Sequence, residues 1–244
     1  MLLEVKNLTK KFKDFTAVNN ISFHVNEGEI LGLLGENGAG KTTALRMIAT
    51  MLKPTNGEAI VNGYNINKNP EEVRRNIGIL FGGEVGIYDR LTARENIMYF
   101  AQLGGLSKSE AKTNIDKLIK DFSMEEYIDK PAGKFSRGMK QKVSIARSIV
   151  HDPKVMLFDE PSTGLDVSAT RSVQKFILNC KAQNKAVILS SHSMYEVEKL
   201  CDRVAIIHKG NIVEIGTIAE LKEKYNNNDL EEIFVQLIGG DKDE

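Results

Sequence analysis

The segment GENGAGKTT, residues 35–43, has the residue types and the spacing needed to bind phosphate groups. It fits the pattern G-x-x-x-x-G-K-[ST], in which the fixed residues are Gly35, Gly40, Lys41 and Thr42. Glycines let backbone N–H groups curl around a phosphate, and the positive end of a following helix attracts the same anion. The lysine reaches the β- and γ-phosphates of a nucleotide, and the threonine hydroxyl binds Mg²⁺. A purely structural glycine-rich turn, the alternative, does not need this lysine.

Two adjacent acidic residues end an apolar run further along the chain. Residues 155–158 are all apolar, and Asp159 and Glu160 follow directly. Carboxylates are costly at the end of a buried strand unless they are paired or bind a metal. In a protein with a phosphate-binding loop, a later apolar strand that ends in aspartate binds Mg²⁺, so we predict that role for Asp159. We predict that Glu160 orients and polarises the water that attacks the γ-phosphate; the alternative for the pair is a helix-capping acid with a solvated neighbour.

The elements that must position these residues alternate between strands and helices. Apolar runs and turn signals predict strands at 2–8, 21–25, 29–35, 58–63, 77–81, 154–158, 186–191, 203–208 and 212–216. Periodicity and capping signals predict helices at 41–52, 70–76, 107–122, 136–150, 168–183, 193–202, 217–224 and 229–238. Such alternation is typical of an α/β fold, in which helices cover both faces of a parallel sheet.

A block of about residues 84–135 interrupts this alternation with helices alone. We interpret it as a helical subdomain inserted into the sheet-containing core. Residues 1–216 then form one domain, and residues 217–244 form a helical tail. The end of the tail is amphipathic, which favours packing on the core or on a second subunit.

Composition excludes several classes of protein. The 244 residues include 33 basic and 33 acidic side chains, a formal net charge of zero, so we expect no nucleic-acid partner. Cys180 and Cys201 lack metal-ligand spacing, which favours a reduced intracellular protein. The N-terminus has no signal-peptide pattern, and no apolar run approaches the ~20 residues that span a bilayer. We therefore expect a cytoplasmic chain that reaches a membrane only through a partner.

Further motifs in a fixed order make the chain similar to the ATP-binding subunits of ABC transporters. KKFKDFTAV, residues 10–18, resembles the loop whose aromatic side chain stacks on adenine. FSRGMKQ, residues 135–141, lies where the family has its LSGGQ signature. LFDEPSTGLD, residues 157–166, resembles the Walker B strand and the D-loop, and His192 lies at the position of the switch histidine. These motifs together are far more specific than the phosphate-binding loop alone.

The resemblance implies a fold and a set of site residues. The fold is the ABC ATPase fold: a P-loop NTPase core with a mostly parallel sheet, an N-terminal antiparallel β-subdomain and the inserted helical subdomain. Glu160 and His192 would be catalytic, Thr42 and Asp159 would bind Mg²⁺, and Asp166 would carry a signal across a dimer. The residues implied to contact ATP are Phe12, Gly35, Asn37, Gly38, Ala39, Gly40, Lys41, Thr42 and Thr43, with Ser136 and Gly138 contacting the ATP of a second chain.

Two of these assignments, Phe12 and His192, have alternatives, and Ser136 has a predicted local role. Spacing favours Phe12 as the aromatic residue that stacks on adenine, with Phe15 as the alternative, and either side chain could instead belong to the core. Ser136 would be the N-cap of its helix, with its hydroxyl aimed across the interface at a γ-phosphate. A histidine before a helix, taken alone, is more often a cap or a surface residue, whereas the resemblance implies that His192 contacts the γ-phosphate.

The family's architecture also implies partners and a place in the cell. Two copies would associate head to tail on ATP and bind two separate membrane subunits at the inner face of the cell membrane. The segment from FGGE to LTARENI, residues 81–97, looks most like the branch of sodium-exporter (NatA-like) and drug-exporter subunits. The resemblance thus implies an exporter driven by hydrolysis of ATP to ADP and phosphate. It leaves open whether the cargo is Na⁺ or a drug.

Two segments depart from the family pattern. The signature has Arg137 and Met139 where glycine and glutamine are usual. The glutamine that normally follows the strand at 77–81, and that senses Mg²⁺ and the attacking water, is absent. Spacing puts Gly83 at that position, followed by Glu84. Either Glu84 takes over the sensing, or the sensing is weaker and depends on the backbone.

Two rival functions share part of this pattern. A soluble ABC ATPase that acts in an assembly or scaffold complex would have the same motifs and no membrane partner. An ordinary P-loop kinase or GTPase would need neither Ser136 nor a dimer, and a GTPase would have a guanine-recognition motif that the sequence lacks. Fractionation with membranes separates the first rival from an exporter subunit.

Overall fold

A computed structural model of the chain describes residues 1–81 and 86–239. Its strands are β1 (Leu3–Phe12), β2 (Phe15–Val25), β3 (Ile30–Leu34), β4 (Asn56–Val61), β5 (Tyr64–Asn65), β6 (Ile77–Phe81), β7 (Val155–Asp159), β8 (Ala186–Ser191), β9 (Arg203–His208) and β10 (Asn211–Thr217). Its α-helices are α1 (Lys41–Ile48), α2 (Pro70–Asn76), α3 (Ala93–Leu103), α4 (Lys108–Phe122), α5 (Arg137–Ile149), α6 (Val167–Ala182), α7 (Met194–Leu200), α8 (Ile218–Lys224) and α9 (Leu230–Ile238).

The smaller sheet is antiparallel and N-terminal, with the strand order β2-β1-β4-β5. Its buried side chains, among them Leu3, Leu8 and Val18, share one hydrophobic cluster with α1 residues such as Leu45. This shared core holds the sheet against the start of α1. The N-terminal antiparallel β-subdomain that the resemblance implies is confirmed.

The larger sheet has the order β10-β9-β3-β8-β7-β6. Its strands are parallel except β10, which returns antiparallel to β9 after a tight turn. Every residue of β3, β7 and β8 is buried, as expected for strands covered on both faces. Parallel pairing brings the carboxyl ends of these three strands to one edge, where Leu34 pairs with Ser191 and Asp159 with Ser190. Ligands of open α/β sheets bind at this edge.

Helices α3 and α4 pack with α5 around a separate hydrophobic cluster. The predicted capping box at the start of α4 is present, with Ser107 and Glu110 each accepting a hydrogen bond from the other's backbone N–H. Val143 and Ala146 of α5 are buried in the same cluster. Helix α5 therefore packs on the helical block, and its Ile145 also lies in the cluster that contains Phe158 of β7.

The C-terminal helices α8 and α9 pack on the core of the same chain. Leu221, Leu230 and Phe234 share a cluster with Val204 and Ile206 of β9. Of the two placements that the amphipathic pattern left open, packing on the core is the one observed for the residues up to 239.

The helix after the phosphate-binding loop is shorter than predicted. Residues 41–52 were expected to be helical, but α1 ends at Ile48. Thr50 has a φ of +59°, its N–H donates to Met47 O, and the N–H of Met51 donates to Arg46 O. This is a Schellman termination with threonine where glycine is usual, so no glycine signalled the end in the sequence.

Candidate functional site

The loop between β3 and α1 has glycines at positions where a ligand can come close to the backbone. Gly38 and Gly40 have φ values of +84° and +112°, in the left-handed region that favours glycine. A Cβ at Gly40 would lie 2.5 Å from Ala17 O, and one at Gly35 would lie 2.4 Å from Ile207 O. The sequence pattern therefore has glycine at two positions where β2 and β9 leave no room for a side chain.

The N-terminus of α1 has no side-chain cap and no acidic residue in its first turn. Within the described residues, the backbone N–H groups of residues 40–43 donate to no acceptor in the protein. Unpaired N–H groups and the helix dipole together make such an end favourable for an anion. The loop thus has both the shape and the charge needed for a phosphate.

Lys41 is buried, with only 4% of its side chain exposed. Its ammonium group is hydrogen-bonded to two carbonyl oxygens of the loop. Nζ donates to Gly35 O at 2.7 Å and to Glu36 O at 3.0 Å. It also lies 3.3 Å from Glu160 Oε1. A buried cation is stable only when it is paired and hydrogen-bonded in this way. Its positive charge is held beside the unpaired N–H groups of α1.

Thr42 and Asp159 meet across the junction of α1 and β7. Thr42 Oγ1 donates to Asp159 Oδ1 at 3.1 Å, and Ser190 Oγ donates to the same oxygen at 2.6 Å. A hydroxyl and a carboxylate are hard oxygen ligands, the type that Mg²⁺ prefers. The described residues contain no cluster of three or more His, Cys, Asp or Glu suited to a metal.

Glu160 has a strained backbone and is held by the neighbouring strand. Its φ of +47° is left-handed and unusual for a residue other than glycine. Its N–H donates to both the carbonyl oxygen and the hydroxyl of Ser190, each at 3.1 Å. Ser190 therefore orients Asp159 and Glu160 together. The sequence motifs did not indicate this serine, although the paired serines before His192 were a signal.

The carboxylate of Glu160 lies between Lys41 and His192. His192 Nδ1 is 3.3 Å from Glu160 Oε2, and Thr163 Oγ1 donates to that oxygen at 3.3 Å. Burial raises the pKa of the Glu160 carboxyl, but the charge of Lys41 and hydrogen bonds from Lys41 and His192 outweigh it. The pKa is therefore below its ordinary value, and the carboxylate is ionised at neutral pH.

His192 follows β8 directly and is half exposed. The cap of α7 is the next residue, Ser193, whose hydroxyl accepts the N–H of Glu196. The alternative of a capping histidine is therefore wrong. The imidazole instead reaches the carboxylate of Glu160, beside the loop that starts at Gly35.

The signature residues lie apart from this cluster within one chain. Ser136 is the N-cap of α5, as predicted, and accepts the N–H of Met139 at 3.3 Å. Ser136, Arg137 and Gly138 are all exposed, and a Cβ at Gly138 would meet no atom within 4 Å. Among the described residues, no hydrogen bond or ion pair joins residues 136–138 to residues 35–43.

The remaining predicted residues are exposed or lie outside the described part of the chain. Phe12 and Phe15 are 45% and 62% exposed, so neither is a core residue. Asp166 caps α6, and its carboxylate accepts the N–H of Ala169 at 2.8 Å. Gly83 and Glu84 fall within residues 82–85, which the structure does not describe.

Comparison with known proteins gives one consistent result. The family model described as ABC transporter matches residues 18–163. The chain is 45% identical to the ABC transporter ATP-binding protein NatA of Bacillus subtilis (strain 168), covering 97% of this chain and 98% of NatA. It is 38% identical to the bacitracin transport ATP-binding protein BcrA of Bacillus licheniformis, covering 91% of this chain and 72% of BcrA.

A solved structure of the ATP-binding subunit of an ABC transporter superposes closely. Its TM-score is 0.87 at 31% sequence identity, with 97% of this chain and 99% of that chain covered. In the part of this chain that the structure describes, every helix is too short or too polar to cross a membrane.

Proposed function

Because the chain belongs to the ATP-binding proteins of ABC transporters, we propose that it is the energy-supplying subunit of an exporter. It is an ABC ATPase, which binds ATP and hydrolyses it to ADP and phosphate. The observation that carries the proposal is the convergence of Lys41, Glu160 and His192 beside the uncapped start of α1.

The ATP phosphates would lie on the backbone N–H groups of residues 40–43, with Lys41 Nζ on the β- and γ-phosphates. Thr42 and Asp159 would hold Mg²⁺, which neutralises charge on the phosphate oxygens when bound. Glu160, ionised and 3.3 Å from His192, would orient and polarise the attacking water. His192 would hold Glu160 in place and contact the γ-phosphate. Phe12, exposed at the end of β1, would stack on adenine.

A second copy would complete each site. Ser136 and Gly138 are exposed at the N-terminus of α5, where the helix dipole favours an anion. Within one chain's described residues they share no hydrogen bond or ion pair with the phosphate-binding loop, so the ATP they bind would belong to a partner copy. The head-to-tail dimer would form on ATP and separate after hydrolysis. Asp166, exposed at the start of α6, would lie in the interface between the two sites.

The helical block would receive the membrane subunit. On this block, Tyr88, Tyr99 and Leu103 are 48%, 44% and 62% exposed, and the two tyrosine rings pack edge to face with centroids 5.6 Å apart. Neighbouring exposed apolar side chains mark interaction surfaces.

In the domain organisation that we propose, residues 84–135 would be the inserted subdomain of an ATPase domain formed by residues 1–216, with residues 217–244 as its tail. The protein would sit in the cytoplasm, on the inner face of the cell membrane.

Similarity to the ABC transporter ATP-binding protein NatA and to the bacitracin transport protein BcrA supports a role in transport. The cargo that we propose, from the segment at residues 81–97, is Na⁺ or a drug moved out of the cell. The membrane subunits, rather than this chain, would select the cargo. The competing function, an assembly or scaffold ATPase without a membrane partner, predicts a protein that never fractionates with membranes.

Cell fractionation tests the proposal against that competitor. We expect the wild-type protein in the membrane fraction when its membrane subunit is present and in the soluble fraction when that subunit is deleted. Tyr99→Ser should lower the membrane-bound share several-fold without changing ATP binding, because an exposed aromatic anchor contributes strongly to an interface. The matched control is Tyr64→Ser, an exposed tyrosine on β5. Membrane association that is unchanged by loss of the membrane subunit would contradict the proposal.

A further inference from the structure

Helix α7 contains a buried carboxylate that the proposed hydrolysis does not use. Glu196 is 6% exposed, and each of its carboxylate oxygens accepts one serine hydroxyl. Ser162 Oγ donates to Oε1 at 2.5 Å, and Ser191 Oγ donates to Oε2 at 2.8 Å. A buried carboxylate is costly unless its oxygens are paired, so both hydroxyls are needed to keep it in place.

The two serines belong to the two segments that carry the proposed catalytic pair. Ser162 lies two residues after Glu160, in the turn that leaves β7. Ser191 lies directly before His192 at the end of β8, and its hydroxyl also accepts the N–H of Ser193 at 3.1 Å. Glu196 therefore joins, through one side chain, the segment before His192 and the segment after Glu160.

The pair that these segments carry needs external support. Glu160 has a φ of +47°, a conformation that a non-glycine residue keeps only when its surroundings fix it. His192 is half exposed, and its contact to Glu160 is 3.3 Å, at the long end for a hydrogen bond. Ser190 fixes the backbone of Glu160, but it does not bond to His192 or to the turn at Ser162.

We propose that Glu196 is a positioning residue that sets the distance between Glu160 and His192 by tying together the two turns. This inference rests on the proposed catalytic roles of Glu160 and His192. The carboxylate of Glu196 bonds to Ser162 and Ser191 and not to Lys41, Thr42 or Asp159, so it would act on the rate of the chemical step and not on ATP affinity. Small displacements of reacting groups cost large factors in rate.

Steady-state ATP hydrolysis by Glu196→Ala and Glu196→Gln tests the inference. For Glu196→Ala we expect kcat to fall about tenfold or more while KM for ATP and directly measured ATP binding change less than about twofold. Glu196→Gln should recover part of kcat, because the amide oxygen still accepts one hydroxyl and the amide N–H₂ donates to the other. The matched control is Glu198→Gln. Glu198 lies on the same helix, and its carboxylate pairs with Lys222.

Serine variants keep the test valid where Glu196→Ala fails to fold. Ser162→Ala and Ser191→Ala should each lower kcat at unchanged KM. In the Glu196→Ala background, neither serine substitution should lower kcat further, because the shared network is already broken. Thermal unfolding of each variant, measured at the assay temperature range, separates a loss of folded protein from a loss of rate.

Three results would overturn the inference. One is wild-type kcat in Glu196→Ala and in both serine variants. Another is a loss of activity that matches the loss of folded protein, with no recovery in Glu196→Gln, since that is a purely structural role. The third is Glu160→Gln hydrolysing ATP at the wild-type rate, which removes the proposed role of Glu160 and this inference with it. If Glu160→Gln is inactive, the first two results overturn the role of Glu196 and leave the proposed role of Glu160 intact.

Discussion

At the residue scale, the burial of Lys41 is explained by its partners. The ammonium group has two carbonyl oxygens of the loop and the carboxylate of Glu160 within 3.3 Å. These contacts offset the cost of removing a charge from water. They also hold the charge where a bound phosphate would meet it, so the same lysine closes the loop and attracts the ligand.

Replacing Lys41 with methionine keeps much of the side-chain length and removes the charge. Because a hydrogen bond to a charged group contributes about 1.5–3 kcal/mol, the Kd for ATP should rise about tenfold or more. Titration calorimetry with ATP and Mg²⁺ measures this directly. Lys175→Met, on the exposed surface of α6, is the control. An unchanged Kd in Lys41→Met would mean that the phosphates do not bind at this loop.

At the scale of elements, two helix N-caps with the same chemistry differ in their surroundings. Ser136 caps α5 in the signature, and Ser107 caps α4 on the helical block. Loss of either cap should lower the free energy of unfolding by ~1 kcal/mol. Only Ser136→Ala should also abolish ATP-dependent dimerisation and lower hydrolysis at least tenfold, because only Ser136 is proposed to bind a partner's ATP.

Comparison of the Ser136→Ala and Ser107→Ala variants separates stability from function. Chemical denaturation measures the first quantity, and ATP hydrolysis at saturating ATP measures the second. Equal losses of hydrolysis in the two variants would show that the signature helix matters only through the stability of its block.

The attachment of α8 to β10 depends on a carboxylate and should respond to pH. Glu214 accepts hydrogen bonds from Lys224 and from Tyr225 Oη, the latter at 2.6 Å. Burial raises the pKa of Glu214, but the hydrogen bonds from Lys224 and Tyr225 outweigh it, so its pKa lies below the ordinary value of 4.5. A carboxyl whose pKa falls on folding stabilises the protein above its unfolded pKa. That stability is lost as pH falls through the folded pKa.

Glu214→Gln should therefore lower the free energy of unfolding by about 1 kcal/mol near neutral pH. The difference from wild type should shrink as pH falls below 4.5, because the wild-type carboxyl then becomes protonated as well. Denaturant unfolding over a pH series measures both quantities, and Glu223→Gln on the exposed face of α8 is the control. A difference that stays constant down to strongly acidic pH would contradict the assigned role of the charge.

Most elements could be predicted from the sequence because their signals are local. The buried strands β3, β7 and β8 are short apolar runs, and the capping box at Ser107 lies within four residues. The end of α1 could not be predicted, because Thr50 adopts a left-handed conformation that its side chain does not favour.

Some residues of the site could be predicted from local motifs, and others depend on contacts between distant parts of the chain. Motif spacing was enough to predict that Lys41, Thr42, Asp159 and Glu160 lie together. The contributions of Ser190 and Glu196 depend on the parallel pairing of β7 with β8, two strands about thirty residues apart in the chain. The paired serines before His192 were a local signal for Ser190, and no local pattern indicated the role of Glu196. The roles of all these residues in hydrolysis remain predictions.

At the scale of the whole molecule, the proposed reaction would be divided between two surfaces. The edge of the larger sheet has the loop, the lysine and the acidic pair, whereas the exposed cap of α5 has the signature. Within the described residues of one chain these surfaces share no hydrogen bond or ion pair. The proposed reaction therefore depends on a second copy more than on any single contact.

The most direct test is the solution mass of Glu160→Gln, with and without ATP and Mg²⁺. The substitution keeps the side-chain shape and removes the group proposed to polarise water, so ATP should bind and remain unhydrolysed. We predict a change from the mass of one chain to that of two only when ATP and Mg²⁺ are present. A variant that binds ATP but keeps the mass of one chain would contradict the head-to-tail arrangement of the signature and the phosphate-binding loop.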